Sequence, residues 1–355
     1  MSAQDTPLGV SDPHKRILWS ANDAGGMNAI VWVVKALLDR HDQVVGIATG
    51  PALAIARQHG FEVQDASAYT PEELQAAVLA ARPDIFLAGT SAGDTIDKKI
   101  FRLIPHVPSV YVLDFWSNYR LRFSTAGDEL GYLPTVVCVM DELARLEMLA
   151  VGLDDALLCV TGNPHVEHFT QGITRDQEDP HLLLFVSQPV REVDGMGYGF
   201  DEYVVIEHLL RALRKLPEQF RLSIRLHPKD DPHKYDSYLD ARVALAQADT
   251  LEEALSRSEC IIGMFSPVLI QARAAGKYVL SYEPGITGGD PLATNRLGLT
   301  TKLSTEDELQ SALAIYAAGQ RPPTALDIST IWPRGAAERI LQVIDSLVCS
   351  SDTVL

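Results

Sequence analysis

Along most of the chain, short runs of apolar, often β-branched residues alternate with longer stretches in which apolar positions recur every three or four residues. A strand buried on both faces reads as a continuous apolar run, and the helix that covers it needs one apolar stripe, so this alternation predicts parallel sheets wound by crossover helices. The runs place strands over 17–20, 44–48, 85–88, 110–113, 136–139 and 157–161. Between the first two, Ile30, Val33, Val34, Leu37 and Leu38 form the stripe of a helix. Thr70, Pro71 and Glu73 open another with a cap residue followed by proline, and Asp141 is placed to cap a third.

The pattern stops over 171–180, which is polar and poor in apolar residues, and then restarts. Strands are predicted over 182–187, 222–226, 260–263 and 278–282, with helices over 203–213, 251–256 and 267–275 between them. Glycine and proline make 285–296 a surface loop, and two helices follow over 305–318 and 335–348. The expectation is an α/β chain with a Rossmann-like domain over 14–165, a linker over 166–180, a second Rossmann-like domain over 181–333, a closing helix over 334–348 and a tail over 349–355.

Composition narrows the functions open to such a chain. Its 355 residues suffice for two domains that each bury a core, and 46% hydrophobic with 22% charged residues is ordinary globular content. A formal charge of −17 repels nucleic acid and anionic membranes at long range, so neither is expected as a partner. Cys138, Cys159, Cys260 and Cys349 show no CxxC spacing, and the first three lie in strand-like runs, which reads as reduced packing and not as a zinc site or a disulfide frame. No apolar stretch is long enough to span a bilayer and the first fifteen residues carry no signal-like apolar segment, so cytoplasmic residence is expected.

In an open parallel sheet, ligands bind beyond the carboxyl ends of the strands, which directs attention to the residues just after each one. After the first strand, Gly25 and Gly26 permit a tight turn into a helix, with Asp23 and Asn28 offering polar groups; Asp23 could equally be only a cap. After 110–113 comes a loop that mixes Asp114, Trp116, Asn118, Tyr119, Arg120 and Arg122, the combination of stacking faces, donors and an acid that sugars and phosphates require.

The second half offers Ser187, then Arg225, His227 and Lys229 at one strand end, groups suited to a diphosphate or a base edge. Phe265, Ser266 and Pro267 mark a helix start whose free amides form an anion site, and Glu283 stands where a carboxylate could hold a ribose diol. No metal site and no cofactor are expected.

With those residues in view, the chain resembles the superfamily that contains UDP-N-acetylglucosamine 2-epimerase and the GT-B glycosyltransferases. Thr161, Gly162, Asn163 and Pro164 resemble the TGNP that precedes the family's interdomain crossing. His227 and Pro228 resemble its HP, and the run from Gly276 to Leu280 resembles its GKPVL strand. The first-half pair of segments is also similar to bacterial GT-B-like proteins associated with surface polysaccharides. The resemblance implies a GT-B fold, two Rossmann-like domains facing a central cleft, with the nucleotide on the second.

The departures bear on the reaction. Family epimerases carry an aspartate after the strand that here ends in Ala88, Gly89, Thr90 and Ser91, a glutamate where Asp114 stands, and histidine and arginine where Ser187 and Gln188 stand; their ribose carboxylate is here Gln271. The leading expectation is therefore metal-independent glycosyl transfer from a nucleotide-sugar donor to a glycan or glycoconjugate hydroxyl. Asp23 or Asp114 would act as base, and Ser187, Arg225, His227, Lys229, Phe265, Ser266, Pro267 and Glu283 would hold the nucleotide. Gly25, Gly26, Asn28, Trp116, Asn118, Tyr119 and Arg120 would face the sugar or acceptor. The alternatives are an epimerase of the UDP-N-acetylglucosamine 2-epimerase type, hydrolysing or not, and a non-catalytic sugar-nucleotide binder.

Overall fold

A computed structural model describes residues 15–127, 129–194, 197–248, 250–320, 332 and 334–351. The chain divides into two units, residues 1–165 with 332–355, and 166–331.

In the first unit, strands β1 (Arg16–Ala21), β2 (Gln43–Ala48), β3 (Gln64–Asp65), β4 (Ile85–Gly89), β5 (Ser109–Val112), β6 (Val136–Val139) and β7 (Leu158–Val160) form one sheet in the order β3-β2-β1-β4-β5-β6-β7. Every pairing is parallel. The connecting helices are α1 (Ala24–Asp39), α2 (Ala52–Gln58), α3 (Pro71–Ala81), α4 (Ile96–Leu103) and α5 (Glu142–Ala150), and α6 (Pro164–Gln171) follows the last strand. The predicted caps are present. Thr70 and Glu73 form a reciprocal capping box on α3, and Asp141 accepts from the Ala144 amide at 2.8 Å to start α5.

The apolar stripe of α1 meets the sheet as its spacing requires. Ile30, Val33, Val34 and Leu37 share a core cluster with Ile17 and Trp19 of β1 and with Ile85 and Leu87 of β4. The C-terminal helix, Ala336–Ser351, packs on α1 through Ile340 and Ile344 and so belongs to this unit although it is last in sequence.

The second unit repeats the plan with β8 (Asp179–Val186), α7 (Val190–Asp194), α8 (Glu202–Leu213), β9 (Arg221–Arg225), β10 (Val243–Leu245), α9 (Leu251–Arg257), β11 (Ser258–Gly263), α10 (Pro267–Ala274), β12 (Tyr278–Tyr282), α11 (Ala293–Arg296), β13 (Thr301–Leu303) and α12 (Glu306–Ala317); α13 (Ala336–Ser351) then completes the chain. The sheet runs β10-β9-β8-β11-β12-β13, again with all neighbours parallel. Its core places Leu183 and Phe185 of β8, Ile224 of β9 and Ile262 of β11 against Val205 and Leu209 of α8 and Leu313 of α12. Truncating fully buried Leu209 to alanine is a change that costs about 2–5 kcal/mol at such a site.

Two local features differ from the pattern-based expectation. The stretch 166–180 holds most of α6 and the first residues of β8, and the loop over 285–296 ends in the short helix α11 with Leu292, Ala293 and Thr294 buried. Of the cysteines, Cys138 and Cys260 are buried and Cys159 is half-buried, all three free thiols, while Cys349 lies outside the residues whose side chains are described.

In both sheets the order of strands reverses beside the first strand, between β1 and β4 and between β8 and β11. These switch points open a crevice at the carboxyl ends of the strands and are where an α/β sheet receives a ligand.

Candidate functional site

At the switch point of the first unit, the chain leaves β1 at Asn22 and turns into α1 through Asp23. The Asp23 carboxylate caps the helix, its Oδ1 accepting from the Gly26 amide at 2.7 Å. Among the described residues no hydrogen bond engages its other oxygen. Two close approaches explain the glycines around it. A Cβ on Gly89, at the end of β4, would lie 2.3 Å from the Gly26 carbonyl oxygen, so the absence of a side chain lets α1 settle against the sheet. A Cβ on Gly25 would lie 2.1 Å from Asp114 Oδ2 and 3.6 Å from Asp23 Oδ1. Two carboxylates therefore converge over one backbone position.

Asp114 reaches that position from the end of β5 with its geometry fixed on the other side. Thr90 Oγ1 donates to its Oδ1 at 3.0 Å, and Arg122 Nη1 donates to the same oxygen and, at 2.8 Å, to Thr90 Oγ1. Arg122 is itself anchored by the Ser117 carbonyl at 2.9 Å. Burial pushes the Asp114 carboxyl above its ordinary range; Arg122 opposes the shift and the nearby Asp23 charge adds to it. Thr90 was absent from the expected site, and Arg122 was expected there only as one of the loop's donors. Arg122 stood in the right loop, but only the strand order brings Thr90, after β4, beside a residue after β5.

The aromatic loop after β5 is occupied mainly with its own unit. Trp116 is buried and its indole N–H donates to both oxygens of Asp141, at 3.0 and 2.9 Å, a carboxylate that also accepts from Trp332 Nε1 at 2.7 Å. The Tyr119 hydroxyl donates to Glu147 at 2.5 Å, and Arg120 Nη1 donates to the Val151 carbonyl at 2.6 Å. Asn118 is exposed and takes a left-handed φ of 55°, which asparagine tolerates better than most residues. Asn28 is half-buried one turn into α1.

In the second unit, Ser187 ends β8 fully buried, donating to Asp230 Oδ2 at 2.6 Å and lying 2.8 Å from the Tyr235 hydroxyl. Arg225 Nη1 donates to the Ala248 carbonyl at 3.2 Å. His227 sits in the turn after β9, its backbone amide donating to Asp230 at 2.8 Å and its Nδ1 accepting from the Lys229 amide at 3.1 Å. Burial holds the imidazole below its ordinary pKa, with Lys229 and Lys234 acting in the same direction and Asp230 against them. The Lys229 side chain is exposed.

Across the switch point, Ser266 caps α10 by accepting from the Val268 amide at 3.2 Å, with Pro267 exposed as the first helical residue. Phe265 is half-buried against Tyr198, ring centroids 4.8 Å apart, and its amide donates to Gln188 at 3.0 Å. Glu283 is fully buried, accepting from Ser281 at 3.0 Å and Asn295 at 3.2 Å and facing the Lys302 ammonium at 3.4 Å. That set ties β12 to α11 and β13 and leaves Glu283 turned inward. Burial raises its pKa, Asp290 adds to the rise and Lys302 opposes it.

Among the described residues, no group of three histidine, cysteine, aspartate or glutamate side chains could hold a metal ion. No helix among them is long and apolar enough to cross a membrane.

No protein-family model and no curated protein sequence matches the chain. Solved structures do. UDP-GlcNAc 2-epimerase from Methanocaldococcus jannaschii aligns with a TM-score of 0.67 at 12% identity, over 93% of this chain and 99% of that one. The Neisseria meningitidis UDP-GlcNAc 2-epimerase, solved bound to UDP-GlcNAc, aligns with a TM-score of 0.63 at 15% identity, over 93% and 99%. The fold is of the GT-B type.

A GT-B neighbour with the other reaction, the glycotransferase of kitacinnamycin, aligns with a TM-score of 0.65 at 15% identity over 95% of this chain and 100% of that one. The similar structures are thus enzymes of both kinds, and most of those with the highest similarity are UDP-GlcNAc 2-epimerases. This corrects the expectation of glycosyl transfer. The misreading has a physical origin: a carboxylate after a strand of the first unit serves an acceptor hydroxyl or a sugar C–H proton equally well, and residue type alone does not separate the two.

Proposed function

We propose that the chain is a nucleotide-sugar epimerase of the UDP-N-acetylglucosamine 2-epimerase type. The observation that carries this reading is the convergence of Asp23 and Asp114 over Gly25, both carboxylates within 4 Å of the point where a Cβ would stand. Inverting a sugar carbon needs proton removal on one face and proton delivery on the other, hence two acid/base groups near one atom.

In the proposed reaction a carboxylate takes the C2 proton, the C2–H electron pair becomes the C1–C2 double bond, and the C1–oxygen bond breaks with its electrons leaving on the nucleoside diphosphate. The reverse addition, with protonation of C2 from the opposite face, gives the epimer; addition of water across the double bond, its oxygen to C1 with the π electrons taking a proton at C2, gives the free sugar of the hydrolysing variant. Asp114 suits the acid, because burial favours its protonated form, and Asp23 suits the base, since only one of its oxygens is used in capping α1. Within the second unit, taken by itself, His227 and the capped amino end of α10 are the groups suited to a diphosphate. The Val268 and Leu269 amides of that helix are already bonded to Ser266, so the helix dipole is what favours anionic charge there.

Incubation with UDP-N-acetylglucosamine in deuterated water tests this reading. Deuterium entering C2 is the expected result, and Asp23→Asn and Asp114→Asn should each lower the exchange rate roughly 100- to 10,000-fold while remaining folded. Turnover with protium retained at C2, or exchange within a few-fold of the parent in both variants, would overturn it.

A further inference from the structure

We infer that Asp230, held by Ser187 and Lys234, is a positioning residue that presents His227 as a neutral, Nε2-protonated donor to a bound nucleotide. The inference rests on the reading of the second unit as the nucleotide side.

Three donors fix Asp230. The His227 amide reaches it at 2.8 Å, Ser187 Oγ at 2.6 Å and Lys234 Nζ at 2.8 Å. Ser187, which donates to Asp230, accepts in turn from the buried Tyr235 hydroxyl at 2.8 Å. Lys234 Nζ also meets Glu202 at 2.5 Å and lies over the rings of Tyr203 and Tyr235, 5.5 and 5.8 Å from their centroids. The side chains of Asp230 and Glu202 are 0% exposed and that of Lys234 is 2% exposed, so the charges sit out of water.

Such a cluster is a poor stabiliser. Desolvating three charged groups offsets most of what their attraction gains, and apolar residues of the same volume would serve the core as well or better. What it supplies is geometry. With its backbone pinned to Asp230, His227 accepts from the Lys229 amide on Nδ1, which leaves the imidazole proton on Nε2. Among the described residues no partner takes that N–H. At the carboxyl end of β9 it is an uncharged donor, available to a phosphate oxygen or a base carbonyl.

The test measures UDP binding by calorimetry and the His227 tautomer by nitrogen NMR of the imidazole. Removing Asp230 alone leaves the buried Lys234 ammonium with one of its two closest carboxylates, Glu202, so the informative variant is the double substitution D230A/K234M, in which Glu202 keeps the Arg191 amide at 3.0 Å, with S187A as a milder cut, S187T as its conservative rescue and H227A as the control on the underlying reading. Expected is a loss of affinity of about 10- to 100-fold in H227A and D230A/K234M, the scale of a hydrogen bond involving a charged group. The His227 resonances should move away from the pure Nε2–H form in D230A/K234M and S187A, and S187T should restore both readouts. Parental tautomer and affinity in D230A/K234M, with H227A still impaired, would overturn the positioning role alone. Parental affinity in H227A would remove the nucleotide role of His227 and the positioning role with it.

Discussion

Two glycines that differ only in what stands beside them give opposite forecasts at the scale of single residues. Gly25→Ala sets a methyl 2.1 Å from a carboxylate oxygen of Asp114, a side-chain atom that can give way only by loosening its hold on Thr90 and Arg122, in the first turn of a helix that alanine favours. Stability should fall by about 1 kcal/mol, the loosened Asp114 contacts set against the helix preference of alanine, whereas epimerisation should fall about 100-fold, because the displaced group is the proposed acid. Gly89→Ala meets backbone instead, 2.3 Å from the Gly26 carbonyl oxygen and 2.5 Å from its Cα, and α1 has to move. It should cost about 1–3 kcal/mol in denaturant unfolding. A Gly25→Ala enzyme with parental turnover would show that the Asp114 position over α1 has no part in the chemistry.

Among elements, the contact of α8 with β12 and α12 carries a pH dependence. His208 on α8 meets the Tyr282 hydroxyl through Nδ1 and stands 3.7 Å from Glu306 through Nε2. Glu306 is held bidentate by Arg211 at 2.8 and 2.9 Å, an arginine that also faces His208, as does Glu207. Burial lowers the His208 pKa from 6.5; Glu306 and Glu207 oppose the shift and Arg211 supports it. A lowered folded pKa means that the unfolded chain takes up the proton first, so this contribution is complete above pH 6.5 and is lost as pH falls below it. Glu306, drawn down from 4.5 to about 2 by Arg211, gives up its share only in the separate window beneath pH 4.5. Urea midpoints from pH 7.5 to 5 should therefore decline less in His208→Gln than in the parent; parallel curves would exclude the histidine.

The same scale shows what the chain discloses of its fold. Buried central strands such as β1, β4, β8 and β11 announce themselves because both faces are apolar, and α1, α3 and α12 announce themselves by stripe or cap. Of the four edge strands only β7 does. β3 is two exposed residues, Gln64 and Asp65, and β10 and β13 are three residues each, too short to show a period and defined only by the neighbour they pair with. Helix α4 escaped notice because it buries Asp97 and Lys98, an ion pair 3.5 Å apart, on what a pattern reads as its polar side. In the site, Asp23, Asp114 and His227 were legible as polar groups after strands. Their partners Thr90, Ser187 and Lys234 converge only through strand order and the turn after β9, and no local spacing records that.

For the molecule as a whole, the nucleotide reading assigns ligand binding to one of two units that each possess a separate core. A ligand that binds the folded unit alone stabilises it by RT ln(1 + [L]/Kd), about 2.7 kcal/mol at a hundredfold excess over Kd. For a unit of this size that amounts to a rise of roughly 5–11 °C in its midpoint. The net charge of −17 works against any anion at long range, so binding has to come from local geometry, the capped amino end of α10 and the His227 donor, and not from steering. Two consequences separate this from nonspecific anion uptake. UDP should raise the midpoint of one calorimetric transition, that of the 166–331 unit, more than CDP or GDP does, and the rise should survive 0.5 M salt at saturating nucleotide, where the Debye length has shrunk to a few ångströms. A shift shared equally by all three nucleotides and abolished by salt would reduce the second unit to a generic anion binder and leave the epimerase reading without a nucleotide site.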